Sequence, residues 1–313
     1  MSRIEKYWEN YGTLCILIVI LVLFSALSPE YFLRGENFVQ IILQSSITIL
    51  QAIGEFFPIL IAGIDLSVGS ILALTGIVTG KLLVAGVDPF LAVLIGGILV
   101  GLVLGAINGT LVNFTGLHPF IITLGTNAIF RGVTLIISGA SPVFGFPYSF
   151  TDTVAGSVFM VPVPILVALT MALILWWMTR QTRLGRNIYA VGGNKEAAYF
   201  SGINVKFHTL VVFMISGVCS GLAGVLSTAR LGAAEPAAGT GFETFAIASA
   251  IIGGTSFFGG KGRVPSVVIG GLIIGTINNG LNLLRVPTFY QLVVMGGLII
   301  VAVSLDRLIG SHR

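Results

Sequence analysis

The chain has 313 residues, of which 55% are hydrophobic and only 9% are charged, whereas a soluble globular domain carries about 25% charged residues. This composition excludes a soluble enzyme, a nucleic-acid-binding domain and a disordered chain, because so few charges cannot cover a water-facing surface. The formal net charge of +4 fits the basic cytoplasmic loops of a membrane protein.

The apolar stretches predict an all-α polytopic membrane protein. A bilayer core of about 30 Å needs about 20 apolar residues per helix, and ten segments of the chain meet that requirement. We expect one integral-membrane domain over residues 1–313. The segment 243–258 is short and could be re-entrant instead of spanning. The predicted spans are 12–28, 38–62, 67–86, 89–112, 118–139, 161–179, 207–229, 243–258, 264–284 and 287–305.

The junction of the second and third predicted spans carries an acid and two serines between glycines. This pattern is typical of a helix break, in which Asp65 or Ser67 caps the following helix through backbone N–H groups. Lining a polar path through the membrane is the alternative function. Gly63, Asp65, Ser67 and Gly69 are therefore candidate residues of the break or of the path.

Glycines at four-residue spacing in the fourth predicted span, among them Gly101 and Gly105, predict close packing of helix backbones. Residues 62–69 can also be aligned with residues 253–260. This similarity indicates a possible weak internal duplication, and duplicated halves are common in transporters.

Arg131 lies inside the fifth predicted span, where an unpaired charge is costly. We expect it to pair with a carboxylate, for which Asp65 and Glu55 are available, or with backbone carbonyls. Direct contact with a substrate is the alternative.

Three amides, Asn278, Asn279 and Asn282, lie at the end of the ninth predicted span. They could recognise hydroxyl groups on a path through the membrane. Hydrogen bonding between helices is the more common role of such residues.

The segment 180–206 is the largest loop and holds five basic residues against one acid, whereas the loop 140–160 holds no base. The first loop is therefore predicted to be cytoplasmic, and alternation of ten spans then places both termini in the cytoplasm. Within this loop, Glu196–Gly202 predicts a short amphipathic helix ended by glycine. Such a helix suits docking in a groove of another protein.

The sequence predicts no catalytic residue, no metal site and no cofactor bound by this chain. The segment 254–262 fails as a nucleotide-binding loop because Gly262 occupies the position of the Ser or Thr that ligates magnesium. Cys15 and Cys219 lie in apolar stretches and are expected to be buried. Acids inside the spans are few, which favours an external motor over an ion-coupled relay.

Taken together, the motifs resemble the permease subunits of bacterial ABC sugar importers, the family that takes up ribose, xylose, arabinose and galactose. The resemblance covers about residues 30–305. Ala62-Gly63, Glu55-Phe56-Phe57 and 117–120 look most like the D-allose permease branch. The matching motifs are 63–69, 182–186, 192–195, 201–205, 229–231, 253–256, 259–263 and 278–283.

This resemblance implies an inner-membrane permease that imports a monosaccharide, D-allose or ribose, and forms the translocation path. It implies a cytoplasmic ATPase that binds ATP and Mg²⁺, a periplasmic sugar-binding protein and a second permease chain, with a homodimer expected. Glu196, Ala197, Ala198 and Gly202 are then expected to dock on the ATPase. The alternatives are an ABC permease for branched-chain amino acids or a furanosyl signal molecule, and an ion-coupled secondary carrier.

Overall fold

Helices form most of the computed structural model, which describes residues 3–310 and the side chains of residues 11–304. In the first half of the chain, residues 93–99 are π-helical and join two α-helices into one continuous helix, Pro89–Thr115. The helices of this half are α1 (Arg3–Leu27), α2 (Pro29–Phe32), α3 (Gly35–Leu60), α4 (Val68–Val84), α5 (Pro89–Ala92), α6 (Val100–Thr115) and α7 (Pro119–Ser138).

In the second half of the chain, a small antiparallel hairpin precedes a further series of helices. Its register pairs Ser157 with Pro162 and Val158 with Val161. The elements of this half are α8 (Tyr148–Ala155), β1 (Ser157–Val158), β2 (Val161–Pro162), α9 (Val163–Gln181), α10 (Arg183–Gly193), α11 (Lys195–Phe200), α12 (Val205–Leu231), α13 (Phe242–Ile252), α14 (Val264–Leu283) and α15 (Thr288–Gly310).

Among the described residues, six helices are long and apolar enough to cross a membrane: α3, the continuous helix Pro89–Thr115, α7, α9, α12 and α14. Shorter apolar helices lie in α1, α4, α13 and α15. Each predicted span overlaps one of these helices, so the all-α polytopic membrane fold is confirmed. The number of crossings stays a prediction. The predicted cytoplasmic placement of the two termini concerns residues 1–2 and 311–313, which lie outside the described residues.

The predicted span 243–258 is wrong as a continuous helix. Helix α13 ends at Ile252 after 11 residues, which gives a length of about 16 Å, about half of the bilayer core. The backbone of Gly254 has a φ of +83°, the left-handed conformation that commonly ends helices. The chain from Gly254 to Arg263 is non-helical before α14 begins.

Close backbone contact between α6 and α12 confirms the packing role predicted for the glycines. A Cβ atom at Gly101 would overlap the carbonyl oxygen of Gly217, and one at Gly105 would overlap that of Phe213. Because α12 also packs against α3 and α4, it lies at the centre of the helix bundle. Cys219 is buried in this core, whereas Cys15 is exposed on α1, so the prediction of burial is wrong for Cys15.

The segments 62–69 and 253–260 each follow a helix, and the first of them ends with the first two residues of α4. Their ends are adjacent, because the N–H of Gly260 donates to the carbonyl oxygen of Leu60 at 2.8 Å. The internal duplication itself stays a prediction.

Candidate functional site

Two helices, α10 and α11, form the loop that was predicted to be cytoplasmic. Helix α10 begins after Thr182, whose Oγ1 accepts a hydrogen bond from the N–H of Gly185 at 3.1 Å, as expected of an N-cap residue. Ile188 and Val191 are buried along one face of α10. We call residues 182–206 the docking loop.

Helix α11 carries the residues predicted to dock on a partner. It starts at an N-cap, Asn194, whose Oδ1 accepts from the N–H of Ala197 at 2.9 Å. The predicted glycine end is present, because Gly202 follows α11 with a φ of +82°. Glu196 and Ala197 are exposed on this helix.

The side chain of Ala198 lies on the opposite face of α11. It is only 4% exposed and forms a small cluster with Val191 and Val205, against which Ile61 packs. Ala198 therefore anchors α11 to the bundle. The outward apolar surface comes from Tyr199 and Phe200, which are 67% and 85% exposed.

The second candidate region is the break between α3 and α4, at Asp65. One carboxylate oxygen, Oδ1, accepts from the N–H and the hydroxyl of Ser67 at 3.0 and 2.6 Å. The other oxygen, Oδ2, accepts from the hydroxyl of Ser216 at 2.8 Å. Asn108 donates to the Ser67 hydroxyl at 2.7 Å. Asp65 is completely buried. Because Asn108 lies in α6 and Ser216 lies in α12, these bonds join the break to both helices. We call these bonds the Asp65 network.

The predicted capping geometry is only partly present. Asp65 binds the N–H of Ser67, the residue that precedes α4, but the side chain of Ser67 makes no capping bond to α4. Ser67 Oγ instead donates back to Asp65. The start of α4 needs close backbone approach, because a Cβ at Gly69 would overlap the carbonyl oxygen of Gly239. Gly63 lies against the ring of Pro119, which is 3.0 Å from the position that a Cβ would occupy.

The Asp65 network lies well inside the bundle. Ser216 is eleven residues from the start of α12 at Val205, which corresponds to a depth of about 16 Å along the helix. Glu55 is also completely buried, and its Oε1 accepts from the N–H of Asp65 at 2.9 Å. Its Oε2 has no hydrogen-bond partner among the described residues.

Arg131 pairs with backbone carbonyls, and the predicted pairing with Asp65 or Glu55 is not found. Its guanidinium Nη1 donates to the carbonyl oxygens of Pro236 and Ala238, at 2.6 and 2.8 Å. These bonds hold the segment 232–241 against α7. Asp65 instead accepts hydrogen bonds from two serines, and Glu55 Oε1 accepts one from the backbone of Asp65.

Two of the three candidate amides bond to neighbouring helices. Asn279 donates to Asn37 Oδ1 at 2.9 Å, and Asn282 Oδ1 accepts from Gln291 at 2.8 Å. Asn278 Oδ1 is buried without a hydrogen-bond partner among the described residues. No described contact tests whether any of these amides meets a substrate.

Sequence reasoning missed helix α10 and the pairing of Ser216 with Asp65. The signal for α10 was available, since Leu184, Ile188 and Val191 are spaced as on one helix face and follow a Thr that can act as N-cap. No sequence signal links Ser216 to Asp65, because 151 residues separate them.

Comparison with known proteins identifies the family. A family described as "Branched-chain amino acid transport system / permease component" matches residues 37–303. The chain belongs to this family of transport permeases. It is a multi-pass protein of the bacterial inner membrane, and its role is that of a permease component.

The similar curated proteins are sugar permeases. The chain is 71% identical to the D-allose transport system permease protein of Escherichia coli K12, over 97% of this chain and 94% of that protein. It is 44% identical to the ribose import permease of Bacillus subtilis, over 96% and 93%. Identity to the galactose/methyl galactoside import permease of Salmonella typhimurium is 34%, over 98% of each. No solved structure matches the chain. The resemblance to ABC sugar permeases, and to the D-allose branch, is confirmed.

Proposed function

We propose that this chain is the membrane-spanning subunit of an ABC importer for D-allose. The observation that carries the proposal is the 71% identity to a D-allose transport permease over 97% of the chain. The identity to the ribose permease is lower, 44%, which favours the six-carbon sugar over ribose. The same high identity favours D-allose over a furanosyl signal molecule or an amino acid as the substrate.

The proposed topology has ten crossings with both termini in the cytoplasm. The six long apolar helices and the four shorter ones supply ten hydrophobic segments, and the eighth crossing combines the short helix α13 with the non-helical segment 253–263 that follows it. The basic docking loop then faces the cytoplasm, in agreement with the tendency of Lys and Arg to remain on that side. In this topology one domain makes up the whole chain, and a second copy completes the path.

The docking loop is the proposed site for the ATPase. Glu196, Ala197 and the aromatic pair Tyr199–Phe200 face outward, while Ala198 anchors the helix and Gly202 ends it. Exposed aromatic side chains on a water-facing loop are typical of an interface with another protein. ATP and Mg²⁺ bind to that partner and not to this chain.

Import then requires two conformations of the permease, one open to each side of the membrane. The binding protein and the ATPase change the balance between these conformations. The periplasmic binding protein delivers the sugar on one side, and closure of the ATPase on ATP displaces the docking loop on the other. A partner can shift the balance only by binding one conformation more tightly than the other. Asp65, Ser67, Gly63 and Gly69 form the break between α3 and α4, and Arg131 fixes the segment 232–241, which contacts this break at Gly69.

The decisive experiment is transport by purified components in proteoliposomes. The permease, the ATPase and the D-allose-binding protein should together accumulate labelled D-allose when ATP is supplied. Omission of any one protein should abolish uptake, whatever proton or sodium gradient is imposed. Gradient-driven uptake by the permease alone would show a secondary carrier and contradict the proposal. Uptake of ribose but not of D-allose would refute the assignment of D-allose as the substrate.

A further inference from the structure

Three backbone segments meet at Gly192 on the inner side of the docking loop. The first is the end of α3 at Leu60, the second is α10, and the third is the turn 259–262 between α13 and α14. The N–H of Gly260 donates to the carbonyl oxygen of Leu60 at 2.8 Å. A Cβ at Gly192 would overlap that same carbonyl oxygen and lie 2.9 Å from the nitrogen of Gly260. No side chain separates the three backbones.

This contact requires glycine at position 192 and not at its neighbour. Any side chain on residue 192 would push α10 away from α3 and from the turn. At Gly193 the position of a Cβ is open, with no heavy atom within 4 Å. Two adjacent glycines of one helix therefore differ sharply in what substitution by alanine would do.

Two further contacts hold the docking loop to the same partners. The hydroxyl of Tyr189 donates to the carbonyl oxygen of Gly262 at 2.8 Å. Burial raises the pKa of Tyr189 above its ordinary value, with a smaller opposite effect from Arg263, so the phenol keeps its proton and remains a donor. Ile61 packs into the cluster that contains Ala198 of α11.

The end of α3 leads directly to the Asp65 network. Beyond Leu60 the chain turns back on α3: the N–H of Gly63 donates to Pro58 at 2.8 Å, and the N–H of Asp65 donates to Glu55 at 2.9 Å. The segment 61–65 is thus bonded to the last turns of the helix. A displacement of Leu60 must therefore carry Asp65 with it, and Asp65 is bonded to Ser216 at the centre of the bundle.

We propose that Gly192 is the positioning residue that transmits movement of the docking loop to the end of α3 and the Asp65 network. Direct contact of backbones makes the transmission stiff, because no flexible side chain lies between α10 and α3. The turn 259–262 moves with them through its bonds to Leu60 and Tyr189. This inference rests on the proposed function, in which the docking loop binds the ATPase.

The test compares Gly192→Ala with Gly193→Ala in the assembled complex of permease, ATPase and binding protein. Both changes add one methyl group to the same helix, so Gly193→Ala controls for helix propensity. We expect Gly193→Ala to behave like the unchanged protein. Gly192→Ala should still assemble with the ATPase, because residue 192 faces α3 and the turn 259–262 while the proposed contact residues lie on the outward face of α11. Stimulation of hydrolysis by sugar-loaded binding protein, and sugar uptake, should fall about tenfold.

Normal stimulation and uptake in Gly192→Ala would overturn the inference, as would equal losses in both variants. A second variant, Tyr189→Phe, decides the matter if Gly192→Ala does not accumulate in the membrane. It removes one hydrogen bond and introduces no clash, so several-fold weaker stimulation with unchanged ATPase binding is expected. Unchanged stimulation would then refute the inference. Failure of the proposed function itself would show differently, as absence of ATPase binding by the unchanged permease.

Discussion

The Asp65 network and the docking loop both interrupt the series of long helices. Hydrogen bonds stabilise the first, and apolar packing stabilises the second. Asp65 is completely buried, and its carboxylate accepts hydrogen bonds from two serines. The docking loop is anchored by apolar side chains such as Val191 and Ala198, and the aromatic face of α11 is left exposed. In the hydrocarbon core of a membrane, a broken helix must find polar partners in the protein or in a water-filled cavity, and at Asp65 the protein supplies them.

This difference separates two kinds of mutational effect. Substitutions in the Asp65 network should lower the stability of the permease, because buried polar groups lose their partners. Substitutions on the outer face of the docking loop should leave stability unchanged and weaken partner binding. The following predictions test this separation, from the largest expected effect on stability to the smallest.

The largest loss of stability is expected from Asp65→Ala. This change leaves the Ser216 hydroxyl and the N–H of Ser67 without their acceptor, and each buried group left unsatisfied costs about 1–3 kcal/mol. Thermal unfolding in detergent should shift to clearly lower temperature. Asp65→Asn retains one acceptor oxygen and should lose less. An Asp65→Ala protein as stable as the unchanged one would show that the network does not stabilise the break.

A smaller loss is expected from Gly101→Ala, at the contact of α6 with α12. The added methyl would overlap the carbonyl oxygen of Gly217, and overpacking of this kind costs about 1–3 kcal/mol. Gly132→Ala on α7 is the control, because its Cβ position is open. The control should match or exceed the stability of the unchanged protein. If both variants unfold at the same temperature, the close approach of α6 and α12 is refuted.

Arg131→Gln should loosen one segment without unfolding the bundle. The carbonyl oxygens of Pro236 and Ala238 lose their shared donor, and a typical hydrogen bond contributes about 1 kcal/mol net. Hydrogen–deuterium exchange should become faster in residues 232–241 and stay unchanged in α12. Faster exchange throughout the protein, or no increase in exchange in residues 232–241, would contradict the anchoring role.

The smallest effect on stability is expected from Phe200→Ser on the docking loop. Phe200 is 85% exposed, as is Phe159 on the distant hairpin at 96%, so Phe159→Ser is the matched control. Neither change should alter thermal unfolding. Only Phe200→Ser should weaken binding of the ATPase, by about tenfold, as is typical of a central interface aromatic. Equal affinity of both variants for the ATPase would show that α11 does not lie in the interface.

The sequence predicted those features that are set by local composition. The apolar segments predicted the helices, the four-residue glycine spacing predicted close packing of the fourth span without naming its partner, and Gly202 predicted the end of α11. Each of these depends on residues close together in the chain. The predicted orientation of the docking loop depends on the contrast between its basic residues and the loop 140–160, which holds no base.

Features that depend on distant contacts could not be predicted. Arg131 was expected to pair with a carboxylate or with carbonyls, and the choice depends on where residues 236–238 lie. The helix in the segment 243–258 was predicted too long. It ends at Ile252, before the left-handed backbone of Gly254, and hydropathy does not reveal that backbone conformation. The role of Gly192 depends on the position of the Leu60 carbonyl, which no pattern near residue 192 reveals.

The central claim is that the docking loop faces the cytoplasm, where a nucleotide-driven partner can bind it. The most direct test is to introduce Phe200→Cys together with Cys15→Ser and to add a membrane-impermeant maleimide. Cys219 is buried and should not react. We expect labelling only after the cells are opened, and protection from labelling when purified ATPase is added first. Labelling of position 200 in intact cells would place the loop outside and contradict the account.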